Sequence, residues 1–180
     1  MGGRKGHVIS FEPTPSTYSL LIKNLVGKAN VKAENMAVYS IQTNMEFNDY
    51  GLKYMVFNSF KKARLNEIDL VANHINVQTV TLDYYCKLNN ITPSFIKIDA
   101  ESVELNVLQG AIETIKKHKP KIMIEVGDFE HIEVGGSRKI ISFLTNENYD
   151  VFEYNGFSFV KHNIIETSYP TLNLYFFPKN

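Results

Sequence analysis

With 180 residues, 44% of them apolar and 21% charged, the chain has the make-up of one globular domain, which at this size buries roughly 70% of its unfolded surface. Lys plus Arg equal Asp plus Glu at 19 each, so no global field draws the chain to nucleic acid or to an anionic membrane. The single Cys86 excludes an intrachain disulfide and a cysteine metal cluster, and no stretch approaches the ~20 apolar residues of a membrane span. Met1 to Gly6 carries basic residues with no apolar region behind them, which is not a signal peptide. A cytoplasmic setting is the default expectation.

In chain order, His7 to Phe11 is a strand. Thr14 then reads as a helix N-cap, with Pro15 at the first helical position. Tyr18, Leu21, Ile22 and Leu25 follow at helical spacing, and Gly27 is placed to end the helix. Val31 to Ser40 is a second, less regular strand. Residues 41–81 read as an insertion in a single domain spanning 1–180, with strand-like Lys53 to Phe57 and Val77 to Thr81 in antiparallel pairs or loops. Leu82 to Asn90 is a short helix, ended at Thr92-Pro93. Ser94 to Asp99 is a strand, and Leu105, Leu108, Ile112 and Ile115 mark one helix whose last turn is basic. Gly110 inside it costs about 1 kcal/mol against Ala, which close packing on a sheet would explain.

Lys121 to Val126 is the next strand, and Ser137 is a candidate N-cap for a helix bearing Ile140, Ile141, Phe143 and Leu144. Val151 to Tyr154, Asn155-Gly156 and Phe157 to Val160 form a hairpin pattern, and Leu172 to Phe177 is a final apolar strand. The expected fold is α/β: a Rossmann-like sheet, mostly parallel, with a C-terminal antiparallel hairpin.

Three of these apolar runs end in a carboxylate: Glu12, Asp99 and Glu125. Ligands of open α/β sheets bind outside the carboxyl ends of the strands. If the three strands are parallel, the three acids line one edge, a pattern that folding does not require.

Phe11-Glu12-Pro13, Thr81-Leu82-Asp83, Ile96-Lys97-Ile98-Asp99-Ala100-Glu101, Glu104, Leu108-Gln109-Gly110-Ala111, Pro120 and Glu125 together resemble the FkbM family of methyltransferases. The resemblance runs from about His7 to about Val126. It implies the class I methyltransferase fold, S-adenosylmethionine as cofactor, and O-methylation of a hydroxyl on a sugar or small metabolite. Two departures stand out. Ser102 occupies a position where the family has Gly, which removes a backbone freedom. The family also opens with a strand, a glycine-rich turn and a helix before Phe-Glu-Pro, and here only six residues precede His7. That reads as an N-terminally truncated sheet. A longer parent chain, a neighbour filling the gap, such as a homo-oligomer covering the exposed sheet, and a rearranged fold all remain open.

The resemblance assigns roles. Glu12 accepts hydrogen bonds from the cofactor's ribose hydroxyls, for which an ionised carboxylate is suited. Asn35, near the end of the second strand, is the candidate for adenine. Asp99 orients the cofactor or serves as general base, with Glu101 beside the reacting centre. Glu125 and His131 are placed on the substrate side, His131 having an intrinsic pKa near neutrality. For Glu12, Asp99 and Glu101 the plain alternative is an acid that favours a helix start. None of the five histidines has metal-ligand spacing on a helix face, and no metal is assigned.

The expected partners are a small-molecule or carbohydrate substrate, with no nucleic acid and no membrane. A non-catalytic remnant or interaction module of the same fold, lacking the glycine loop, is the alternative. A dinucleotide oxidoreductase would need Gly-x-Gly-x-x-Gly, and a nucleotide-sugar transferase would usually carry Asp-x-Asp; neither string is present.

Overall fold

The computed structural model describes residues 6–60, 71–128 and 136–179. Its contacts fall into two compact units, Met1–Thr81 and Leu82–Asn180.

In the first unit, β1 (Val8–Phe11) pairs in parallel with β2 (Val31–Glu34), joined by α1 (Pro15–Asn24). Thr14 is the N-cap residue of α1, but its side chain makes no capping bond to the helix. It receives the Asn58 Nδ2 amide at 3.2 Å instead. The helix stops at Leu25, and the turn beyond it needs Gly27, whose φ is +80°. The expected second strand divides: Ala37–Val38 forms β3, which leaves β2 and pairs in parallel with β5 (Asn73–Val80). On its other side β5 pairs antiparallel with β4 (Asn44–Asp49), burying Phe47 and Val77 with Ala37. Leu52–Phe57 is a 3₁₀ helix, not the strand that its apolar run suggested. Gly51, at φ +73°, turns the chain away from extended pairing just before it.

The second unit is built on one five-stranded sheet in the order β6 (Phe95–Ile98), β7 (Lys121–Val126), β10 (Leu172–Pro178), β8 (Tyr149–Tyr154), β9 (Phe159–Lys161). β6 and β7 are parallel, whereas β10 runs antiparallel to both β7 and β8. Parallel and antiparallel pairs are therefore mixed in both units, and antiparallel pairing reaches well beyond the C-terminal hairpin. β1 belongs to a separate two-stranded sheet, so the three acid-ending strands do not form one hydrogen-bonded row.

Alternation along the five strands separates two faces. Ile98, Ile122, Ile124, Val126, Leu174, Phe176, Tyr149 and Val151 are buried on one, and Leu108, Ile115, Ile141 and Leu144 are buried on the helices. Those helices are α2 (Leu82–Asn89), α3 (Glu104–Gln109), α4 (Ile112–His118) and α5 (Gly136–Asn146). The single helix expected across Leu105 to Ile115 is broken into α3 and α4 at Gly110-Ala111. The break leaves the first N–H groups of α4 without intrahelical acceptors. Asp83 supplies them: its carboxylate accepts the Glu113 N–H at 3.1 Å and the Thr114 N–H at 2.7 Å. The Asp83 N–H in turn donates to the Gly110 carbonyl at 3.0 Å. Ser137 lies within the first turn of α5 rather than capping it, and its N–H donates to the Asp128 carboxylate at 2.9 Å.

Candidate active site

Register places the acids of the second unit. Lys97 pairs with Met123 and Ile98 with Ile124, so the chain continues to Asp99 beside Glu125. By alternation Lys97 and Asp99 project from the same face as Met123 and Glu125. Lys97 Nζ lies 2.7 Å from Asp99 Oδ2. Beyond Asp99 the backbone turns through two consecutive left-handed residues, Glu101 at φ +47° and Ser102 at φ +79°. That turn brings Glu101 back, so that one carboxylate oxygen from each of Asp99, Glu101 and Glu125 lies within 4.8 Å of the others. Glu101 is thus in the loop before α3 rather than in the helix, which begins at Glu104.

Glu104 holds the turn. Its Oε1 accepts the Ala100 and Ser102 N–H groups, both at 3.1 Å. Burial raises its pKa, against the lowering effect of those backbone bonds. Glu101 is pushed up to about 7, first by desolvation and then by the charges of Asp99, Glu125 and Glu104. Glu125 is also raised, by desolvation, by the Asp99 charge and by a carboxyl–carboxyl hydrogen bond to Asp99, with Lys97 opposing. Like charges this close oppose one another's ionisation, so Glu101 and Glu125 hold a proton to higher pH than a lone surface acid does. The three offer hard oxygen donors, the chemistry of a hydroxyl-rich ligand or a divalent cation.

In the first unit, β1 and β2 place Glu12 and Asn35 side by side. The Glu12 N–H donates to the Glu34 carbonyl at 3.0 Å. Asn35 Nδ2 donates to the Glu12 and Pro13 carbonyls at 2.9 and 3.0 Å, clasping the exit of β1. Glu12 Oε1 accepts the Thr14 N–H at 2.8 Å. Its pKa is raised, chiefly by burial, with Thr14 lowering it and Asp49 adding to the rise. Glu12 and Asn35 therefore both have local structural work. His131 lies outside the described residues.

A family model described as the methyltransferase FkbM domain matches residues 1–159. The chain belongs to the FkbM methyltransferase family. Its fold resembles a crystal structure of methyltransferase FkbM from Methylobacillus flagellatus KT, with a TM-score of 0.52 and 17% identity. The match covers 95% of this chain and 36% of that one, so the present chain spans about a third of that protein's length. No curated protein matches. The family's activity is methyl transfer.

Of the residues that carried the resemblance, Asp83 caps α4 and Glu104 clamps the turn before α3. Lys97 is the site residue that sequence reasoning missed. Its signal was available, since Lys97 and Asp99 stand two apart on a strand and so share a face. No helix among the described residues is long and apolar enough to cross a membrane.

Proposed function

We propose that the chain is a Rossmann-like class I methyltransferase that uses S-adenosylmethionine to methylate a hydroxyl on a sugar or small metabolite. Family membership supports methyl transfer. The observation that carries the reading is the Asp99, Glu101 and Glu125 cluster at the carboxyl ends of two adjacent parallel strands.

The residues present fit the cofactor's nucleoside. A carboxylate has about four acceptor positions, and the Thr14 backbone and hydroxyl bonds leave Glu12 with capacity for a ribose diol. The amide oxygen of Asn35 is left for the base, its nitrogen being engaged by the β1 exit. Asp99 is assigned to orientation of the cofactor's amino group. When bound, S-adenosylmethionine supplies an electrophilic methyl carbon. The protein's tasks are alignment and proton removal.

Glu101, with a pKa of about 7, is matched to accept a hydroxyl proton near neutrality. Asp99 and Glu125 accept hydrogen bonds from the remaining hydroxyls, and Lys97, 2.7 Å from Asp99 Oδ2, holds the Asp99 carboxylate in place. His131 is assigned to the substrate side with Glu125.

Calorimetric titration of the folded chain with S-adenosylhomocysteine tests the reading. Micromolar binding that is lost in Glu12→Ala is the expected result. A cooperatively folded chain that takes up no heat would leave the non-catalytic interaction module as the better reading.

A further inference from the structure

Among the described residues, β9 closes the sheet of the second unit with one edge unpaired. Its outward groups follow from the register. The Asn155 N–H bonds the Ser158 carbonyl at 3.2 Å, and the His162 N–H bonds the Val151 carbonyl at 2.9 Å. Bonded pairs alternate in an antiparallel ladder, so Val160 turns its N–H and C=O to β8 while Phe159 and Lys161 turn theirs outward. Among the described residues no bond occupies those outer groups. A three-residue edge bearing a lysine ordinarily resists pairing. This edge differs in its surroundings: Tyr154, Phe159 and Val160 are exposed, Phe157 at the hairpin tip is 94% exposed, and Ile164 beyond the strand is 56% exposed.

We propose that β9 is a self-association edge, through which two copies of the chain join their sheets antiparallel about Val160. The strand is self-complementary in that register. Phe159 of each copy stands opposite Lys161 of the other, and both pairs have outward N–H and C=O groups, so all four outward groups of each strand are satisfied. Centring on Phe159 instead would oppose Lys161 to Phe157, whose N–H is already bonded to Asn155 Oδ1 at 3.0 Å. In the register about Val160 each Lys161, whose ammonium lies 3.5 Å from Asp150 Oδ1 of its own chain, stands opposite the other copy's Phe159 ring rather than a second cation, a compatible cation–aromatic pairing. Phe157 then comes opposite Asn163 of the other copy, one residue from Ile164, so two side chains that are exposed in one chain lie at the same end of the new contact. The contact is small, and its product is a reversible dimer.

Sedimentation velocity of the full chain over a wide concentration series tests this. A monomer–dimer equilibrium is expected, with the Phe159 and Lys161 amides gaining hydrogen-exchange protection as concentration rises. Lys161→Pro deletes one outward N–H and none of the hairpin's backbone bonds; it also removes the surface Lys161–Asp150 ion pair at 3.5 Å, a kind that contributes little to stability, so it is expected to stay monomeric with an unfolding midpoint close to that of the wild type. Should that variant fail to fold, Phe157→Asp decides: its side chain is exposed in one chain, and its dimer is expected to be weaker by about tenfold or more. A wild type that is monomeric throughout, or a folded variant that dimerises as the wild type does, overturns the proposal.

Discussion

Replacing Glu101 by Gln isolates the electrostatic load carried by the acidic cluster. The fold holds the Glu101 carboxyl at about 7, against 4.5 for an unconstrained group. Folding therefore takes up a proton between those values, and the stabilising contribution is complete below 4.5 and lost as pH rises through about 7. For a fully buried group a displacement of that size would correspond to ~3 kcal/mol. Glu101 is exposed, so solvent screens its neighbours, and a loss of ~1 kcal/mol is the working figure. Gln keeps the shape and removes the charge. Glu101→Gln should match the wild type near pH ~4 and exceed it by about 1 kcal/mol near pH ~8, with the gap shrinking in high salt. Urea unfolding followed across that range reads this as a shift in midpoint at constant slope. A gap that does not change with pH, or a variant that is weaker in alkali, would refute the reasoning that like-charge crowding raises this group.

The other expectations come from the same coordinates. Lys97→Met removes the cation that lowers Glu125, so the Glu125 titration followed by carboxyl NMR should move to higher pH. Ser102→Gly relieves a side chain at φ +79° and should stabilise by about 1 kcal/mol in thermal or urea unfolding. Tyr169→Phe leaves His162 Nε2 and the Ile165 N–H without the hydroxyl that each meets at 3.0 Å, in a site where His162 is buried. It should cost about 1–3 kcal/mol, measured by the same unfolding experiment. Leu144→Ala opens a cavity under α5 and should cost about 2–5 kcal/mol.

The strands and their acidic ends were legible because alternation and apolar runs are local signals. β6, β7, β8 and β10 lie where the pattern put them, and Asp99 meets Glu125 because both leave the ends of adjacent parallel strands. The misses share a cause in partners distant along the chain. Leu105 to Ile115 reads as one amphipathic helix, and only Asp83, 30 residues before Glu113, makes the break at Gly110 affordable by capping the second half. Lys53 to Phe57 has strand composition, but Gly51 turns the backbone into a 3₁₀ helix. Ser137 resembles an N-cap, yet the acceptor is Asp128 from the end of the preceding strand. Glu101 was grouped with a helix start because its left-handed turn has no signature in residue type.

That turn gathers features that folding alone disfavours. Two successive non-glycine residues hold positive φ, and a left-handed conformation costs such a residue about 1–2 kcal/mol. Three carboxylates then converge at its mouth, where the Asp99 charge raises the pKa of both Glu101 and Glu125. Local relaxation would remove both costs, and the surrounding structure prevents it. β6 fixes Asp99 through its pairing with β7, and Glu125 sits between β6 and β10. Glu104, half-buried at the start of α3, ties the Ala100 and Ser102 amides to one oxygen. Strain maintained against relaxation, beside crowded acids at the ends of parallel strands, is the pattern of a site whose geometry is retained for its chemistry rather than for stability. On that argument Ser102→Gly and Glu101→Gln should both stabilise the chain, and on the proposed function, with Glu101 as proton acceptor, only the second should abolish methyl transfer, because the turn's shape survives the first change.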